Sequence, residues 1–189
     1  DTLGPEFKTA NGRIVYEGHG IQPDVKIESE ILSTITVHLY AQNMIFKYAN
    51  KFYREHKTIA PPEEFEITDE IYNDFVNFVE EQDFSYTSES EKDFEELIKT
   101  AKLEGYYDNI KEQLDVLEKE LRSHKDNDLI NNKEEISEIL KMEIVGRYYF
   151  QKGKIISSLK DDPELNRAVE ILLDSNGENE YENILKGVN

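Results

Sequence analysis

The amino-acid sequence predicts a mainly α protein, an antiparallel helical bundle preceded by a short two-strand segment, and three observations carry that expectation. Six of the 9 Gly and 5 Pro residues, Gly4, Pro5, Gly12, Gly18, Gly20 and Pro23, lie in the first 28 positions, too many breakers for a helix. Beyond them apolar residues recur at three- and four-residue steps almost to the end. Polar connectors with capping residues separate these runs, as in a bundle with short connections.

Two β-type runs, Arg13-Ile14-Val15-Tyr16 and Val25-Lys26-Ile27, sit among the glycines. Two short strands cannot bury a core alone, so they read as the edge of a sheet whose other strands lie elsewhere. Ser29 is placed to cap a long helix in which Ile31, Ile35, Leu39, Gln42, Phe46, Ala49 and Tyr53 follow one face. The linker from His56 to Glu64, with Pro61-Pro62, ends it. Thr68 caps a second helix through about Glu81, with Ile71, Phe75, Phe78 and Val79 apolar, and Phe84 to Thr87 connects it onward.

Ser88 and Glu91 have capping-box spacing ahead of Phe94, Leu97, Ile98 and Ala101. Gly105 breaks or kinks that helix before Ile110, Leu114, Leu117 and Leu121 resume, a spacing that suits packing against other helices. Ser123 to Asn132 reads as a turn between antiparallel helices. The next helix carries Ile136, Ile139, Leu140, Ile144 and Tyr148, and Gly153 suits its end. Asp162-Pro163 supplies a cap and a first-turn proline for a helix through about Leu173. A last short helix holds Tyr181, Ile184 and Leu185.

The chain has 189 residues, enough for one domain with a sizeable core. Its 41 acidic against 22 basic residues, a formal charge of −19, oppose binding to nucleic acid, which needs clustered Lys and Arg to displace counterions. The same charge repels anionic lipid. No apolar run approaches the roughly 20 residues of a spanning helix. With no cysteine there is no disulfide framework, thiolate nucleophile or cysteine-based zinc site.

Several constellations invite a chemical reading and fail it. The stretch Glu63 to Glu96 holds 14 Asp or Glu against Lys92 alone; it reads as the solvated faces of two helices and their connector before it reads as a surface for a basic partner. Asp126-Asn127-Asp128 has Asn131 where a calcium loop needs Gly and Ser137 where it needs Glu, and Asp174-Ser175-Asn176 fails at the same two places. Six residues rather than four separate Gly146 from Gly153-Lys154, and the following Ser or Thr of a phosphate loop is missing. His19, His38, His56 and His124 are dispersed, without metal-ligand spacing. Ser157 and Lys160 lack an elbow or an oxyanion-forming turn. Tyr106-Tyr107 and Tyr148-Tyr149-Phe150 read as core before they read as an aromatic binding surface. No catalytic, metal or cofactor residue is assigned.

The string Phe7-Lys8-Thr9-Ala10-Asn11-Gly12-Arg13, then Val15-Tyr16-Glu17-Gly18-His19-Gly20-Ile21-Gln22-Pro23-Asp24-Val25, resembles a segment of the carboxyl-terminal processing (tail-specific) serine peptidases, in members with a long helical tail. The later pieces Ile67-Thr68-Asp69, Asn132-Lys133-Glu134-Glu135-Ile136, Glu143-Ile144 with Arg147-Tyr148-Tyr149, and Tyr181-Glu182-Asn183-Ile184-Leu185 are similar to that tail. The resemblance implies that residues 1–28 are a two-strand remnant of the peptidase core and 29–189 a helical domain. The family's nucleophile lies in a Gly-Ser-x-Ser turn and its lysine base in a Gly-Lys-Gly segment, both upstream of the Gly-Ile-x-Pro-Asp segment. Neither motif occurs here, and no residue inherits either role.

The function that the resemblance implies is that of a non-catalytic region of a serine endopeptidase, one that cleaves proteins near their carboxyl termini in the periplasm or cell envelope of a Gram-negative bacterium. Its partners would be the catalytic core, the PDZ module, protein substrates and, in a homo-oligomer, a second copy. No cofactor is implied. From the residues alone, a self-standing acidic helical interaction domain is the other reading.

Overall fold

In the computed structural model, which describes residues 4–10, 12–18, 23–28, 31–174, 177 and 179–186, the glycine-rich start forms an antiparallel hairpin of β1 (Glu6–Lys8) and β2 (Ile14–Tyr16). Phe7 stands opposite Val15. Gly12 takes a φ of +84° in the turn, where glycine carries no Cβ penalty. The partner of Ile14–Tyr16 is thus the run just before it, because a tight local turn closes at little entropic cost. Val25–Ile27 is no strand among the described residues; the expectation of a strand there is corrected. His19, Gly20 and Ser29 lie outside the described residues.

Nine helices follow among the described residues: α1 (Thr34–Ala41), α2 (Met44–Glu55), α3 (Asp69–Glu81), α4 (Glu89–Glu104), α5 (Tyr107–Asp126), α6 (Asp128–Asn131), α7 (Lys133–Ser158), α8 (Pro163–Leu172) and α9 (Glu180–Lys186). The chain divides into two compact units, Ile31–Ser158 and a second formed by Asp1–Glu30 with Leu159–Asn189.

In the larger unit the first long helix expected from Ser29 is two helices. Residues 31–33 are not helical, and Ser33 is the cap, its Oγ accepting from the Thr36 N–H at 3.4 Å. Asn43 then adopts φ 60°, ψ 25°, a left-handed conformation that asparagine tolerates better than most residues. This break resets the helical phase. Ile35, Leu39 and Ala49 are buried as expected, but beyond the break Met44, Ile45, Tyr48 and Phe52 also face inward while Phe46 and Tyr53 are exposed. Ile31, expected on the apolar face, is 93% exposed.

Side-chain pairings set the packing directions. Gln42 donates to the Ser85 carbonyl at 2.9 Å, the Tyr48 hydroxyl donates to the Ile71 carbonyl at 3.0 Å, and the Phe52 and Phe65 rings meet edge-on; α3 therefore runs antiparallel to α2. Along α7 the order matches that of α1 and α2: Ser33 bonds Glu135, Asn50 bonds Arg147, and the Tyr148 hydroxyl donates to the His56 carbonyl. Between these helices lies the core, with Leu39, Ile45, Tyr48, Phe75, Ile136, Leu140, Ile144 and Val145 almost wholly shielded. Buried Lys141 extends its ammonium to Glu66 at 3.0 Å, the way a long cationic side chain crosses apolar surface.

The helices α4 and α5 form an antiparallel hairpin, since Lys125 near the end of α5 bonds Glu91 in the first turn of α4 at 2.7 Å. Ser88 and Glu91 make the capping box in full, and Gly105, at φ +78°, ends α4. Of the apolar positions only Phe94, Ala101 and Leu114 are buried; Leu97 and Leu117 stay largely exposed. The turn expected from Ser123 to Asn132 is mostly helical: α5 continues to Asp126 and α6 follows at once, with Asn132 donating back to the Asp128 carbonyl.

The helix α7 turns a sharp corner at Phe150, whose φ of 56° and ψ of −157° are not helical. In a straight helix residues 145 and 153 stand about 12 Å apart. Here a Cβ on Gly153 would collide with Tyr149 and lie 3.1 Å from Val145 Cγ1. Gly153 is thus a close-packing residue inside the second limb, and the expected helix end at Gly153 is replaced by a corner three residues earlier. In the smaller unit the Asp162 side chain caps α8, accepting from the Leu165 N–H at 2.9 Å, and Pro163 occupies its first turn. Arg167 spans from α8 to Glu180 of α9 at 2.5 Å.

Candidate functional site

The most concentrated ionic arrangement lies at the corner of α7. Glu143 and Arg147 are four residues apart on one helix face, where side chains meet, and their closest approach is 2.7 Å. The corner brings Lys154 to the other oxygen of the same carboxylate, at 2.6 Å. Arg147 also donates through Nε to Asn50 Oδ1 at 2.8 Å, and its guanidinium lies 4.6 Å from the Phe46 ring centre. Its Nη2 is buried with no hydrogen-bond partner among the described residues. Burial, which alone would raise the Glu143 pKa, is outweighed by the hydrogen bonds from Lys154 and Arg147, and the carboxyl is held below its ordinary value. This carboxylate is a structural tie: both oxygens are engaged by cations.

The residues weighed for chemistry are dispersed or occupied. Ser157 is buried, and its hydroxyl donates to the Lys154 carbonyl at 3.0 Å. His56 stacks on Phe52 with ring centres 4.0 Å apart, and His38 lies 5.2 Å from the Tyr86 ring. Among the described residues no group of three or more His, Cys, Asp or Glu could hold a metal ion, and no helix is long and apolar enough to cross a membrane.

The acid-rich stretch serves two ends. Glu66, Asp69, Asp74, Glu89 and Glu91 reach Lys141, Lys133, Lys51, Lys92 and Lys125, so part of it fastens α3 and α4. Glu63, Glu64, Glu70, Glu80, Glu81, Asp83, Asp93, Glu95 and Glu96 are exposed, as expected of solvated helix faces. Tyr48 joins this network: burial first, then its hydrogen bond to Asp74, raises its pKa.

The aromatic pairs depart from the core reading. Tyr148 packs against the core, edge-on to Tyr53 at 4.8 Å. Tyr106 is exposed and Phe150 is 76% exposed. Among the features missed from sequence, the Glu143–Arg147 pair was signalled by its four-residue spacing. Lys154 carried no such signal, because it depends on the corner.

The described helices form a body tied by structural ion pairs, with carboxylates and several aromatic side chains exposed on its surface. The chain belongs to the family described as "Probable PDZ-protease, C-terminal helical domain", whose model matches residues 35–172. It is therefore a helical domain associated with a PDZ-protease. No curated protein and no solved structure matches the chain.

Proposed function

We propose that this chain is the C-terminal region of a carboxyl-terminal processing serine endopeptidase and governs assembly or substrate access while leaving the chemical step to residues upstream. The observation that carries this reading is an order in the sequence: the Phe7-to-Val25 string that resembles the end of such a peptidase core directly precedes residues 35–172, which match the helical-domain family. Residues 1–28 would complete the core, and 29–189 would form the helical domain. The exposed Phe7, Ile14, Val15 and Tyr16 of the hairpin support this division, because a two-stranded ribbon with uncovered apolar side chains gains stability by joining a larger sheet. The parent would act in the periplasm or cell envelope on protein substrates.

A lysine base must lie desolvated beside its serine to lose a proton near neutral pH. Ser157, turned into its own helix backbone, meets no such condition. The purified chain mixed with an unfolded protein is expected to show no cleavage above buffer. Cleavage that disappears in Ser157→Ala would place the chemistry in this domain and overturn the reading.

A further inference from the structure

The helices α4 and α5 stand apart from the rest of their unit. Among the described residues, no hydrophobic side chain of either helix belongs to the core between α1, α2, α3 and α7 or packs against it. Their own buried residues, Phe94, Ala101 and Leu114, lie outside that core. Yet the hairpin is firm within itself: a capping box opens α4, Gly105 ends it, and the Lys102 ammonium lies 4.7 Å from the centre of the Tyr107 ring. An element with its own internal structure and little apolar burial against its neighbours sits at the low-stability end of a fold, where local opening begins.

The chain enters and leaves the hairpin through two short joints. One is Thr87, exposed between Tyr86 and the Ser88 cap; the other is Asn127, which ends α5 and starts α6. Element-terminal residues of this kind are where hinges absorb a change of φ and ψ. Across the joints lies a cationic clamp. The Lys125 ammonium holds both Glu91 oxygens, at 2.9 and 2.7 Å, donates to the Tyr86 carbonyl and lies 4.7 Å from the centre of the Tyr86 ring. Tyr86 belongs to the body: its hydroxyl donates to Asp128, and its ring packs against the core beside His38 and Phe84. One ammonium thus ties both helices of the hairpin to the body. Among the described residues, no other side chain of α4 or α5 makes a hydrogen bond or ion pair to the body.

We infer that the α4–α5 hairpin is a lever that swings as one unit about Thr87 and Asn127, and that Lys125 is the latch that holds it against the body. The 16 residues of α4 give the lever a length of about 24 Å, so a rotation of about 15° at its base carries the tip about 6 Å. The core built by Tyr48 and Phe75 takes no part in that motion, because the hairpin shares none of it. The latch is a property of this chain and does not depend on the proposed function.

The chain has no cysteine, so pairs of introduced cysteines carry spin labels without background. Double electron–electron resonance on the full chain compares three pairs of exposed positions: Glu70→Cys with Leu103→Cys, from α3 to the hairpin tip; Ser90→Cys with Leu103→Cys, along α4; and Lys47→Cys with Glu70→Cys, within the body. With the latch intact, all three distance distributions should be narrow. Lys125→Met, which keeps the stem and removes the ammonium, should roughly double the width of the first distribution and leave the other two unchanged, as for a rigid element freed at a hinge. Glu91→Gln keeps a capping-box residue type and removes the carboxylate; it should do the same, and it gives the reading if Lys125→Met broadens all three pairs. A first distribution equally wide with and without the latch overturns the proposal. Broadening along α4 in both variants also overturns it, because the hairpin then melts and does not swing.

Discussion

Phe75→Ala is expected to cost about 3–5 kcal/mol, the range for removing a buried aromatic side chain and leaving a cavity. Phe75 is fully buried, edge-on to Tyr48 at 5.2 Å and 6.0 Å from Tyr72. The hole would open in the layer between α2 and α3, where Tyr48 is held by its bonds to Ile71 and Asp74 and cannot swing in to fill it. Domains have only about 5–15 kcal/mol in hand, so the loss takes much of the stability. Urea denaturation should show the midpoint falling with its slope preserved. Phe150→Ala is the comparison: the exposed ring is expected to cost the isolated chain under about 0.5 kcal/mol, as for surface positions generally. Equal losses at the two positions would contradict the packing described.

Glu143→Ala has the second-largest expected effect, a loss of about 2–3 kcal/mol at neutral pH. Removing one partner of a buried ion pair costs about 3–5 kcal/mol, and the lower figure allows for the 32% exposure of Lys154. The variant leaves Arg147 and Lys154 facing each other across the corner without their shared carboxylate. The pH dependence has a definite sign. The folded-state pKa of Glu143 is depressed, so the carboxylate contributes its stability above the unfolded value of about 4.3 and loses it as pH falls through the lower folded value. Denaturation of the wild type and Glu143→Gln at falling pH should show two curves that lie apart at neutral pH and draw together only below the unfolded value of about 4.3. Curves separated by a constant amount would mean that the carboxylate's charge is not what ties the corner.

The parts of this fold legible in the sequence are those decided by local chemistry. Thr68 caps α3, Ser88 and Glu91 close a capping box, Gly105 ends α4, and Asp162-Pro163 starts α8. Each is an interaction among residues a few positions apart, so the order of residue types suffices. The breaks at Asn43 and Phe150 were not legible, because neither carries the Gly or Pro that usually marks a turn. Tertiary packing imposes them: α2 must rotate its apolar face toward α7, and the second limb of α7 must press Gly153 against Tyr149. Once the break at Asn43 was missed, a continuous stripe through Phe46 and Tyr53 followed with the wrong phase. Gly153 misled for a related reason, since a glycine that ends a helix and one that lets two helices touch look alike in sequence. Of the corner's ionic arrangement, only Glu143 with Arg147 left a signal in the sequence, their four-residue spacing, and the pair was not read from it.

The deletion that tests the function must respect this packing. Removing residues 60–189 while keeping the first helices would strip α7 from the buried side of α2 and expose Ile45, Tyr48 and Phe52. The informative variant removes 31–189 from the full-length protease. Turnover of a short peptide and of a folded protein is then compared with the intact enzyme. If the domain governs assembly or access, it changes which substrates arrive and not the barrier they meet. Short-peptide turnover should therefore persist within about tenfold, equivalent to roughly 1.4 kcal/mol of barrier, while selectivity among folded proteins or the oligomeric state changes. Complete loss of short-peptide turnover in a truncated enzyme that remains folded would show that the helical domain builds the catalytic site, and would contradict the account.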